Sequence, residues 1–128
     1  MPTVKIMQIN EDVQEAIVET EISLDESVPA ARISLIVFGS PMVSSETNRK
    51  LSLFAFLVTD IVSENGLQVP EKTNCGYFSY RLFAKVADAQ NRIVQLGDIE
   101  IVLDCPIPKD VFSGSYISFD VMRLDFPM

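Results

Sequence analysis

Apolar and polar residues alternate with period two along most of the chain, and the apolar positions are rich in β-branched and aromatic residues. No stretch keeps the 3.6-residue period of an amphipathic helix. Seven strands are expected, over 4–9, 13–24, 32–38, 51–62, 76–87, 93–103 and 115–126. Clusters of Gly, Pro, Asn, Asp and Ser separate them, as turns require. A short helical turn is expected in 44–50, with Ser45 as its cap. The chain has 128 residues, which suits a single core. The expected architecture is therefore one all-β domain over 1–128, an antiparallel sandwich of about seven strands.

The stretch from Gly76 to Leu103 defines a hairpin most sharply. Ala89-Gln90-Asn91 suits a three-residue loop with Asn91 in the left-handed region, which sets Asp88 opposite Arg92 and Val86 opposite Val94. Beyond Gly97 the apolar positions change parity, to Ile99, Ile101 and Leu103. A β-bulge at Gly97-Asp98 would restore them to the core face. It would also place Arg81 opposite Glu100, and it would separate Cys75 from Cys105 as two free thiols.

Leu51 to Val62, LSLFAFLVTDIV, is apolar on both parities. A two-layer sandwich buries only one face of such a strand, and large exposed apolar patches are uncommon on monomers. Two readings follow. The second face is covered by the chain's own loops, or it is a protein interface. The interface reading names Phe38, Phe54, Phe56 and Val58.

Tyr80, Leu82, Ala84, Val86, Asp88 and Asn91 stand on alternate positions of one strand and its turn. The string resembles the Y-x-V-x-L-x-V-x-D-x-x-G segment of bacterial immunoglobulin-like sandwich domains, from which it departs in having Asn91 where that pattern has Gly. The resemblance implies an immunoglobulin-like β-sandwich, a buried Tyr80 whose hydroxyl bonds to backbone, and a binding role rather than catalysis.

Composition narrows the function further. Ten basic against 18 acidic residues give a net charge of −8, which disfavours nucleic acid and anionic membranes as partners. Histidine is absent, which removes Ser-His-Asp and Cys-His catalysis and His-bearing zinc sites. The T-x-x-K spacing of Thr47 and Lys50 lies in a strongly polar stretch, so a lysine of lowered pKa is not expected there. No catalytic, metal or cofactor residues are assigned. Asp25, Glu26, Glu64, Glu71, Asp104 and Asp110 fall in connections that an alternating strand order would bring to one end of the domain. They serve as solvated charge, as calcium ligands, or as a patch for a basic protein.

The first twelve residues show no secretory signal pattern, so a cytoplasmic location is the default expectation. The expected function is non-enzymatic protein association, with an identical subunit or a heterologous partner, through the apolar sheet face. The alternatives are an acidic inhibitor or immunity-type protein masking a basic enzyme surface, and a small β-barrel holding an apolar ligand.

Overall fold

A computed structural model describes residues 4–10, 15–22, 30–39, 46–47 and 51–126, the first and fourth of these ranges by backbone alone. Its strands are β1 (Val4–Asn10), β2 (Glu15–Ile22), β3 (Ala31–Phe38), β4 (Glu46–Thr47), β5 (Leu51–Phe56), β6 (Thr59–Glu64), β7 (Glu71–Lys72), β8 (Tyr80–Asp88), β9 (Ile93–Leu96), β10 (Ile99–Leu103), β11 (Tyr116–Val121) and β12 (Arg123–Asp125). The described residues are all-β. None of their helices is long and apolar enough to cross a membrane. In the stretch expected to be helical, Glu46 and Thr47 form β4, and the rest lies outside the described residues.

Twelve strands replace the expected seven because three long apolar runs break in the middle and two short strands, β4 and β7, form between the expected ones. Leu57-Val58 divides β5 from β6, Gly97-Asp98 divides β9 from β10, and Met122 divides β11 from β12. The middle break corrects the expected bulge. Gly97 has φ +61, and Leu96 pairs with Ile99, so the chain reverses in a two-residue turn. Glu100 then faces Gln95 rather than Arg81. The loop before β9 differs from expectation in one residue. Val86 does face Val94, but Asp88 pairs with Ile93, and Arg92 rather than Asn91 takes the left-handed conformation. The reason is local: the Asp88 carboxylate accepts from the Asn91 side chain at 2.7 Å and from its backbone N–H at 3.2 Å. Those two bonds, the side-chain one foremost, hold the Asp88 carboxyl below its ordinary pKa.

The hydrogen-bonded order is β4-β1-β2-β3-β12-β5-β10-β9-β8-β11-β6, with β7 beside β8. The sheet is open and mixed. Reversal at Gly97 sends β10 back alongside β5 in the same direction, with Ile99 beside Leu51 and Leu103 beside Ala55. A second parallel contact joins Asp125 to Phe38. The purely antiparallel arrangement expected from the alternation is thereby corrected: a hairpin turn placed inside an apolar run changes which strands meet, and alternation carries no record of that.

Two leaves result. The inward residues of β2 and β3, among them Ala16, Val18, Leu35 and Val37, join Leu53, Leu82, Val94, Ile99, Ile101, Ile117 and Phe119 in one buried cluster. β3 and β12 meet through the Asp125–Phe38 pair and the bond from Phe126 N to Phe38 O at 3.1 Å. The rest of that edge of β3 needs other partners, since a buried amide left alone costs free energy. Tyr80 supplies one. It is 6% exposed, and its hydroxyl accepts from the Ile36 N–H at 3.0 Å.

Candidate functional site

Within β5 the period-two rule sorts the side chains cleanly. Leu53 and Ala55 are buried, while Ser52, Phe54 and Phe56 point outward. Phe54 is 46% exposed and Phe56 44%, although β5 has a strand on each side. The alternation then slips. Leu57 takes φ +57, so it stays outside and Val58 turns inward to 8% exposure. Val58 is therefore a core residue and does not join the face on which Phe54 and Phe56 stand.

Asp104 holds this slip in place. At the end of β10 its carboxylate accepts from Leu57 N at 2.6 Å and Val58 N at 3.1 Å, the two amides just past the last β5–β10 pair. Asp104→Ala is expected to lower stability by about 1–2 kcal/mol, because one of the two amides is partly buried and a lost partner costs roughly that much. Urea unfolding followed by circular dichroism measures it, and a midpoint equal to that of the unaltered protein would show that the slip does not depend on this carboxylate.

Register places the neighbours of the two rings. Arg123 pairs with Phe56, Asp125 with Phe54, and Val102 with Phe54 from the other side. Phe38 enters from β3 opposite Asp125. The Arg123 guanidinium lies 4.4 Å from the Phe38 ring centre and 4.8 Å from that of Phe56. It also grips Asp125 with two bonds, Nε to Oδ1 at 2.7 Å and Nη2 to Oδ2 at 2.9 Å. A planar cation stacked on two rings and held by a two-point carboxylate contact has little freedom left. The rings of Phe38 and Phe56 are thus presented at a set spacing.

Beyond Phe38 the aromatic row continues. Phe78 meets Phe38 edge-on at 5.7 Å, and Tyr77 meets Phe78 edge-on at 4.9 Å. Tyr77 is 61% exposed. The nearby Glu15 carboxylate is the first cause of a phenol pKa above the ordinary value. The outer face thus runs Tyr77, Phe78, Phe38, Arg123, Phe56, Phe54. Sequence reasoning found Phe38, Phe54 and Phe56 and missed the rest. Arg123 and Asp125 were legible in principle, since residues two apart on a strand share a face. Tyr77 and Phe78 sit on a turn of 73–79 whose path alternation does not report.

Other chemistry-bearing groups have structural partners. Ser118 is fully buried, donates to Glu64 Oε2 at 2.6 Å and accepts from Arg81 Nη2 at 2.7 Å. Enclosed in this way, its hydroxyl ties β11 to β6 and β8. Cys75 and Cys105 are free thiols, the first exposed and the second half-buried. Among the described residues no group of three or more Cys, Asp and Glu is placed to hold a metal, and Asp25 and Glu26 lie outside them. An open depression lined by Ile22, Leu67, Lys85, Gln95 and Gly97 lies away from the aromatic row. No family model matches the chain, and neither a curated protein nor a solved structure shows significant similarity to it.

Proposed function

We propose that this protein is a non-enzymatic association module that docks onto another protein through the outer face of β5. One observation carries the reading: Phe54 and Phe56 stand half-exposed on a strand flanked on both sides, beside a Phe38–Arg123–Phe56 stack held by Asp125. A buried phenylalanine contributes about 1.5–3 kcal/mol over an exposed one, so two rings that share a face form an effective anchor. Immobilising Arg123 before contact lowers the entropy that binding must overcome. The immunoglobulin-like resemblance of the Tyr80–Asn91 string agrees with a binding role. Neither a cofactor, nucleic acid nor a membrane enters the reading.

The test uses the whole chain and Phe56→Glu. Light scattering at micromolar concentration is expected to show an assembly for the unaltered protein and a monomer for Phe56→Glu if the partner is a second copy. For a different partner, affinity capture is expected to recover a protein that Phe56→Glu does not. A monomer whose captured proteins are the same for both forms rejects the reading.

A further inference from the structure

A second surface carries its own argument. β6 ends the strand order and pairs with β11 alone among the described strands, Glu64 opposite Tyr116 and Val62 opposite Ser118. Its continuation β5 differs, because β12 and β10 flank it on both sides. β10 stays beside β5 as far as Leu103, and the Asp104 carboxylate takes the next two amides, those of Leu57 and Val58. Past Val58 the position that β10 holds beside β5 has no described strand next to β6. Thr59, Asp60, Val62 and Ser63 are exposed there. In an antiparallel pair, alternate residues turn their N–H and C=O away from the partner, so β6 offers a row of backbone donors and acceptors. Such a row is a template for an added strand.

Charge selects the occupant. β6 and β11 carry Asp60, Glu64 and Asp120 and no cation of their own. Arg81 reaches in from β8, bonding Asp60 O at 3.0 Å, Ser118 Oγ at 2.7 Å and Asp120 at 3.2 Å, which leaves an excess of negative charge. A second copy would bring the same three carboxylates against their duplicates, on a molecule that already carries −8. Like charges facing each other across strands are destabilising. We propose that the free edge of β6 accepts an extended, Lys- or Arg-rich segment of a partner protein as an added β-strand. Its backbone bonds to β6, its cations lie on the outer face beside Asp60, Glu64 and Asp120, and its apolar residues lie on the opposite face beside Ile61, which packs against the core. The surface is distinct from the Phe54 face, and either can fail without the other.

The probe is an end-capped octapeptide of alternating Lys and Val, titrated into the full-length chain with amide hydrogen exchange read by NMR. Slowed exchange is expected at alternate amides of 59–64. Affinity is expected to fall about tenfold between low and physiological salt, where charges more than about 8 Å apart are screened. Asp60→Asn, which keeps the tolerance for φ +55 at that position, is expected to bind several-fold more weakly. The same Lys–Val octapeptide with every backbone amide N-methylated has the charge but no N–H to donate, and it should not bind. Equal binding of the two peptides would mean attraction by charge alone and would overturn strand addition. So would an absence of slowed exchange in 59–64, or its appearance only at 52–56.

Discussion

Gly97→Ala is expected to lower the unfolding free energy by about 2–4 kcal/mol, since it adds a left-handed alanine and a steric clash at one point. A Cβ at this position would lie 2.6 Å from the Glu21 carbonyl oxygen and 3.1 Å from the Thr20 side chain. Backbone is the obstacle, so no rotamer change relieves it. The turn at Gly97-Asp98 is pressed against β2, and Asp98 N approaches Thr20 Oγ1 at 3.5 Å. Moving the turn outward would pull it off β2 at a point where Thr20 is 2% exposed. Gly66→Ala is the control, because nothing lies within 4 Å of its Cβ and its φ is not left-handed. That substitution is expected to change stability by about 0.5 kcal/mol or less. Urea unfolding of the two variants separates the cases. Equal midpoints would mean that β9 and β10 do not reverse at Gly97.

Tyr80→Phe is expected to lower stability by about 1–3 kcal/mol at neutral pH, the cost of leaving a partly buried amide without its acceptor. The ring volume is kept, so the loss isolates the bond between the Tyr80 hydroxyl and Ile36 N. The same residue predicts a pH response. Burial, the larger cause, pushes the Tyr80 phenol above its ordinary value of 10.0, against the opposing effect of the Ile36 bond. The folded chain therefore keeps the phenolic proton at pH values where the unfolded chain has lost it. The stability tied to the neutral phenol is complete below about pH 10 and declines as pH rises through the folded value. Tyr80→Phe lacks that decline. The gap between the two proteins should narrow in alkaline solution, and a gap that stays constant above pH 10 would refute the assignment.

How far the chain was legible depended on the range over which the deciding interaction acts. Alternation located the strand material of β2, β3, β5 and β8 because the side-chain period is a property of one strand. It also marked Phe54 and Phe56 as outward-facing, opposite in parity to Leu53 and Ala55. The same rule put Val58 with them. That failed at Leu57, whose left-handed turn depends on a carboxylate 47 positions away in the sequence. Gly97 is the converse case. A glycine between two apolar half-strands is compatible with a bulge or a reversal, and the choice falls to β5, which gives β10 a parallel neighbour only if the chain turns back.

The sequence alone determined that this is an acidic, histidine-free β protein whose segments 32–38 and 51–62 are apolar on both parities, because composition and period-two patterning are properties a strand carries with it. The pairing of β10 with β5, the stacking of Arg123 between Phe38 and Phe56, and the place of β6 at the end of the described strand order were decided only by the tertiary structure. Each depends on segments far apart in the chain coming together, and a side-chain period of two is the same whichever neighbour a strand acquires.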